Sequence, residues 1–339
     1  TSIMLSNLAL GTVITMSSFH WLLAWIGLEL NTLAMIPIIA KQHHPRAAEA
    51  ATKYFLIQAA ASATVLFSST MNAWHTGTWD IMQLTNQPAC IMLTMALSMK
   101  LGLAPLHFWL PEVLQGSSMK TALIITTWQK LAPMSLLYLT HQALHPATLL
   151  TLGILSTLVG GWGGLNQTQT RKIMAYSSIA HLGWMATVLT LAPNIMLLNL
   201  ALYLTMTLST FLTLILSSSK TIKDLTTAWT TSTTTAPLML ILLMSLGGLP
   251  PLTGFMPKWL ILQELTTHNL TMMATVMALS ALLSLFFYLR LAYTTALTLS
   301  PTTPQHSMKW RLQPKMKTTA MTVTLVMSTM LLPITPALI

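Results

Sequence analysis

Runs of about twenty mostly apolar residues, each closed by a short polar break, recur from one end of this 339-residue chain to the other. A helix of about 20 residues crosses the roughly 30 Å hydrocarbon core of a bilayer. Only helices and closed barrels satisfy every backbone N–H and C=O at that depth. The pattern therefore predicts an all-α, polytopic membrane helix bundle. Charge agrees: 6% of residues are charged, against about 25% in a soluble domain, too few to cover a soluble globule of this size. Eleven spans are expected, at about 1–18, 20–40, 50–72, 88–110, 119–139, 147–165, 172–191, 194–216, 236–264, 270–290 and 318–337. The first is short and begins at Thr1 without an initiator methionine, so a few residues are expected to precede it. No linker is longer than the 291–317 loop, and residues 1–339 read as one membrane domain.

The basic residues test this topology independently. If the spans alternate, the loops after spans two, four, six, eight and ten share one side. They hold Lys41, Arg46, Lys120, Arg171, Lys172, Lys220, Lys223, Arg290, Lys309, Arg311, Lys315 and Lys317, twelve of the sixteen basic residues. The opposite loops hold only Asp80 and, at a helix end, Glu264. That is the positive-inside pattern, and it puts the amino terminus on the positive side and the carboxyl terminus opposite. Although the net charge is +10, no basic run with interleaved aromatics lies on a polar segment, so nucleic acid is not an expected partner. The single cysteine, Cys90, excludes an intrachain disulfide and a cysteine-ligated cluster from this chain alone.

Four lysines remain. Lys53 lies a turn or so into span three, where a lysine can snorkel to the interface. Lys100, Lys130 and Lys258 are too deep for that, and so is Glu29 in span two. A charge at bilayer depth costs about 2.5–3.5 kcal/mol on insertion scales, and persists where it faces protein or water. Two of these lysines flank similar helix breaks, Gly102-Leu103-Ala104-Pro105-Leu106 in span four and Gly248-Leu249-Pro250-Pro251-Leu252 in span nine. Proline removes a backbone donor and glycine eases departure from helical geometry, so both spans are expected to be discontinuous. The breaks lie five spans apart, which turns the second copy upside down. Paired interrupted helices in an inverted repeat point to an ion path. The repeats are expected at about 1–140 and 147–290, with an extra helix at 318–337.

Other polar candidates carry less. His107 follows the first break and His181 lies mid-span, and either could relay protons or be a satisfied polar histidine. His43-His44 lacks a third ligand for a metal. The Gly160–Gly164 run is not a phosphate loop, since no Lys-Ser/Thr follows, and small residues for close helix packing explain it better.

Four long runs carry a family resemblance: HWLLAWIGLELN at 20–31, MALSMKLGLAPLHFWLPE at 95–112, GGWGGLNQTQTRKIMAYSS at 160–178 and GGLPPLTGFMPKW at 247–259. They resemble the antiporter-like, proton-pumping membrane subunits of mitochondrial NADH:ubiquinone oxidoreductase (complex I), vertebrate type. The likeness spans essentially the whole chain, and the many methionines and threonines resemble a protein encoded by animal mitochondrial DNA. The resemblance implies eleven helices and a proton relay of Glu29, its partner Lys53 on the next helix, Lys100, the central Lys130 and Lys258 near the exit. His107 and His181 are secondary candidates. It also implies no redox cofactor and no metal in this chain, with NADH, FMN, iron–sulfur clusters and ubiquinone handled by other subunits. Implied partners are other membrane-arm subunits, including NADH dehydrogenase subunits 4 and 4L, accessory subunits and phospholipids such as cardiolipin. The implied location is the mitochondrial inner membrane, amino terminus on the matrix side and carboxyl terminus in the intermembrane space. A free-standing cation/proton antiporter and a non-pumping scaffold remain as alternatives.

Overall fold

The computed structural model describes residues 2–41, 44–226, 234–297 and 318–334, and no strand occurs among them. Helices α1 (Ser2–Ser17), α2 (Trp21–Ala40) and α3 (Pro45–Thr76) open the chain. Next come α4 (Gln87–Leu101), α5 (Trp109–Gly116), α6 (Met119–Thr126) and α7 (Leu131–Thr140). They are followed by α8 (Pro146–Gly164), α9 (Thr170–Val188), α10 (Pro193–Leu216) and the short α11 (Ile222–Thr226). The last are α12 (Thr235–Gly247), α13 (Phe255–Thr267), α14 (Thr271–Leu297) and α15 (Thr319–Met330). Three long helices start on proline (Pro45, Pro146 and Pro193), where the missing N–H would have no intrahelical partner anyway. His44 caps α3 by accepting from the Arg46 N–H at 3.2 Å. Its neighbour His43 lies outside the described residues.

Inside the helices, serine and threonine hydroxyls turn back onto carbonyls three or four residues earlier, as Thr12 does to Ala9 and Thr207 to Tyr203, both at 2.8 Å. That keeps each hydroxyl satisfied without water. Large apolar side chains point outward, among them Phe19, Trp74 and Met272, as a lipid-facing surface requires.

The chain packs as two compact units, one of residues 1–159 with 178–196, the other of 160–177 with 197–339. In the first, α1 packs on α2, α2 on α3 and α3 on α4. The connections after α1 and α3 meet through a bridge between His20 and Asp80, with the Trp21 N–H donating to the Trp79 carbonyl at 3.1 Å. Up-and-down alternation requires these two loops to share one side. In the second unit the loops after α8 and α10 meet in the same way, through Gln169 and Thr221. Both of those belong to the positive set.

The expected interruptions are present. Span four is α4 and α5 around residues 102–108, and span nine is α12 and α13 around 248–254. Each first half ends on a left-handed glycine, Gly102 at φ +81° and Gly248 at φ +77°, a conformation that a side chain would strain. The Leu103 N–H closes on the Ser98 carbonyl and the Leu249 N–H on Met244, so the matching sequences build matching caps. A third interruption was not expected. Span five changes to a 3-10 turn at Trp128–Lys130 between α6 and α7. Pro133 explains it, because its ring displaces the Gln129 carbonyl and it offers that carbonyl no N–H. Span ten also runs further than expected, to Leu297. Arg290 is therefore inside α14 and not in a loop, and its guanidinium donates to the Leu165 and Gln167 carbonyls just past α8. The remaining basic residues of that loop, Lys309, Arg311, Lys315 and Lys317, lie outside the described residues, as does the end of span eleven. The Gly160–Gly164 run packs against rings, with Gly163 on Tyr176 and Gly164 on Phe287.

Candidate functional site

In the first unit, the end of α4 gathers charge. Lys100 occupies the last turn of α4 and is 6% exposed. Its Nζ is buried with no hydrogen-bond partner among the described residues. Lys130, 3% exposed, ends the 3-10 turn of span five, and its Nζ donates to the Leu101 carbonyl at 3.0 Å. Leu101 precedes the left-handed Gly102, so this ammonium sits on the last carbonyl of the first half-helix. Such carbonyls have no intrahelical donor and carry the negative end of the helix dipole.

The second unit repeats the arrangement with a different donor. Lys258 is 9% exposed on α13, and its Nζ donates to the Gly247 carbonyl at 2.8 Å. Gly247 precedes Gly248, the counterpart of Gly102. A Cβ at Gly254 would collide with the Ser245 carbonyl, so the chain folds back tightly enough to bring Lys258 against the end of α12. The two half-helix ends are thus alike, yet one is capped from a neighbouring span and the other from the second half of its own span.

Glu29, half-buried on α2, accepts from the Ser62 hydroxyl of α3 and from the Thr32 hydroxyl at 2.8 Å. Lys53 is not its partner. Lys53 pairs with Glu49 at 2.6 Å and with Glu112 of α5 at 2.7 Å, all three side chains substantially exposed. Helix register explains this correction. Glu29 lies level with Ser62, nine residues beyond Lys53 and so about 13 Å along the axis at 1.5 Å per residue, further than a lysine stem reaches. Moreover α3, with 32 residues, is about 48 Å long at that rise, against a core of about 30 Å. Its first turns, with Glu49 and Lys53, therefore extend toward the interface. An exposed pair of this kind contributes about 0–1 kcal/mol.

Both histidines are buried. His107 lies in the first break, with Nδ1 3.3 Å from the Pro105 carbonyl and its ring against Phe108. His181 is on α9 and has an interaction partner of its own. Sequence reading missed the neutral polar residues between the charges. Gln58, at 3.4 Å from the Lys100 carbonyl, Asn31, Thr32, Tyr54 and Gln129 line a small cavity with Lys100. A signal existed in the spacing: Gln58 and Ser62 stand four apart on one face of α3, toward α2 and α4.

Among the described residues, no three histidine, cysteine, aspartate or glutamate side chains gather as metal ligands. The arrangement offers acid–base groups, a half-buried carboxylate on α2 and three ammonium groups buried beside interrupted helices.

Residues 18–284 match the family described as NADH:quinone oxidoreductase/Mrp antiporter, TM, and residues 285–339 match NADH dehydrogenase subunit 2 C-terminus. The chain is 58% identical to NADH-ubiquinone oxidoreductase chain 2 of Xenopus laevis, across 99% of this chain and 97% of the relative. It is 55% identical to the Latimeria chalumnae protein of that name, across 100% and 97%. A chain of respiratory complex I from Thermus thermophilus superposes with a TM-score of 0.86 at 28% identity, covering 99% of this chain and 79% of that one. A chain of the Mrp complex from Dietzia sp. DQ12-45-1b shares the fold, with a TM-score of 0.78 at 16% identity over 88% and 61%.

Proposed function

This chain belongs to the NADH-ubiquinone oxidoreductase chain 2 family, proton-translocating membrane subunits of respiratory complex I, and from that premise we propose that Glu29, Lys100, Lys130 and Lys258 are the groups that carry its protons. It is a multi-pass protein of the mitochondrial inner membrane and a subunit of an H+-translocating NADH:ubiquinone reductase. One observation carries the assignment of residues: three ammonium groups are buried at the ends of two interrupted half-helices. A charge at that depth persists only where it faces protein or water, and the half-helix end, with its free carbonyls and negative dipole end, supplies such a place.

Neighbouring charges couple these exchanges. Two unit charges 4 Å apart interact by about 4 kcal/mol at an effective dielectric of 20. Moving one proton against 100 mV takes about 2.3 kcal/mol, so coupling of that size suffices to drive a step. Lys53, held by Glu49 and Glu112 near the interface, braces α3 against α5 and lies off this path. His107 and His181 are secondary groups. A cation/proton antiporter would need a second acid beside Glu29, yet Glu49, Asp80 and Glu112 are exposed, Asp224 caps α11 and Glu264 lies near His268 at the end of α13.

The basic loops face the matrix in this reading, which puts the amino terminus there and the carboxyl terminus opposite. Flavin, clusters and quinone sites belong to other subunits. Subunits 4 and 4L and accessory subunits lie against its apolar faces. The exposed Lys41, Arg46 and Lys120 at helix ends suit anionic phospholipids such as cardiolipin.

Lys100→Met tests the assignment, because the methionine keeps the stem and removes the charge. The complex assembles and its coupled proton transport falls; normal transport in reconstituted vesicles refutes a relay role for Lys100.

A further inference from the structure

Between Glu29 and Lys100 lie polar groups whose arrangement has a use. Lys100 Nζ is buried without a partner among the described residues, whereas the Asn31 carboxamide packs against Gly11 of α1. Buried polar groups are almost always hydrogen-bonded to protein or to ordered water. Lys100 lines a cavity of about 10 Å³, room for about one water. Thr32 lines the same cavity, and its hydroxyl already donates to Glu29 Oε2 at 2.8 Å. The walls are held by other residues. The Gln58 side chain meets the Lys100 carbonyl at 3.4 Å, and the Gln129 side chain meets the Asn31 carbonyl at 3.5 Å.

We infer that Thr32 completes a proton bridge between Lys100 and Glu29, through one water held between Lys100 Nζ and Thr32 Oγ1. This rests on the reading above, in which Glu29 and Lys100 exchange a proton. A Lys100 N–H bond breaks as the water takes that proton, and the water passes one of its own to Thr32 Oγ1. The Thr32 hydroxyl proton moves along its existing hydrogen bond to Glu29 Oε2. The products are a neutral amine and a neutral carboxylic acid, so an opposite-charge pair is consumed and no net charge is left in the low-dielectric interior.

Three assembled complexes reconstituted in vesicles test this, carrying Thr32→Val, Thr32→Ser and Lys100→Met. The readouts are the rate of proton transport and the protons moved per NADH oxidised. Valine keeps the shape of threonine without the hydroxyl, and transport falls about fivefold, the scale of one lost hydrogen bond. Serine restores the hydroxyl and recovers transport to within about twofold of the parent, on the same scale. Normal transport in Thr32→Val with loss in Lys100→Met overturns the bridge and spares the relay reading, whereas normal transport in both overturns both. Equal losses in the valine and serine variants also overturn the bridge, since the hydroxyl is then not what matters. If the valine variant does not assemble, a density map of the parent complex that resolves waters decides. A water within about 3.2 Å of both Lys100 Nζ and Thr32 Oγ1 supports the bridge, and no such water overturns it.

Discussion

Gly102 and Gly248 allow the role of a buried lysine to be separated from the integrity of the helix break that it caps. Both glycines adopt nearly the same left-handed conformation, at φ +81° and +77°. Alanine at either position therefore costs about 1–2 kcal/mol of backbone strain. What the new methyl group meets is different. At Gly102 it would approach Leu110 Cδ1 at 3.1 Å, an apolar branch that can give by a few tenths of an ångström. At Gly248 it would lie 2.9 Å from Lys258 Cδ and 3.0 Å from Nζ, so the lysine must leave the Gly247 carbonyl. A hydrogen bond from a charged donor contributes about 1.5–3 kcal/mol, and Gly248→Ala loses it on top of the strain. Both variants should lower the thermal stability of the assembled complex, Gly248→Ala by more. Proton transport per NADH oxidised should stay close to normal in Gly102→Ala and fall in Gly248→Ala. Equal transport in the two variants would refute the reasoning, because the position of Lys258 would then make no difference.

Two further outcomes follow from the loops. In α11, Thr221 and Asp224 form a reciprocal cap, with Asp224 Oδ2 accepting from the Lys220 and Thr221 N–H groups, both at 2.9 Å, and Thr221 Oγ1 accepting from the Asp224 N–H. Burial alone would push the Asp224 carboxyl up, but the hydrogen bonds from the Thr221 and Lys220 N–H groups outweigh it and hold the group below its usual 3.8. Because the folded value is the lower one, the stabilisation is complete above about 3.8 and is lost as pH falls through the folded value. Protection of the 220–226 amides relative to their intrinsic exchange should fall below that pH in the parent and be already low at neutral pH in Asp224→Ala. The exposed Lys220 and Lys223 should react with a membrane-impermeant amine reagent supplied from the matrix side; labelling from the other side only would invert the proposed topology.

The sequence showed the membrane architecture because the bilayer imposes a length and a polarity that are written residue by residue. The two half-helix breaks were legible for a similar reason, since Gly102-Leu103-Ala104-Pro105-Leu106 and its counterpart at 248–252 carry their backbone geometry in their residue types. The interruption at Trp128–Lys130 was hidden, because a single Pro133 in an apolar run does not say whether a helix bends or breaks. Partnership between charges was the least legible part. Glu29 and Lys53 lie on consecutive spans, but pairing depends on axial register. The extra turns at the start of α3 move Lys53 out toward Glu49 and Glu112. The residues that do meet Glu29, Ser62 and Thr32, look like every other hydroxyl in a threonine-rich membrane chain. Nor does any spacing rule bring Lys130 to the Leu101 carbonyl, 29 residues away in the chain, because that hydrogen bond exists only once α4 and α7 pack together.

The most direct test of the proton path is the coupled turnover of the assembled complex carrying Glu29→Gln, measured beside Lys53→Met. Glutamine keeps the shape, and its carbonyl oxygen can accept from one of the Ser62 and Thr32 hydroxyls while its NH2 donates to the other, but it cannot take up a proton. The account predicts normal assembly in both, slowed coupled proton transport in Glu29→Gln, and transport near that of the parent in Lys53→Met. Poor assembly of Glu29→Gln with normal specific activity in what does assemble would contradict it, since the carboxylate would then serve only to hold the helices together.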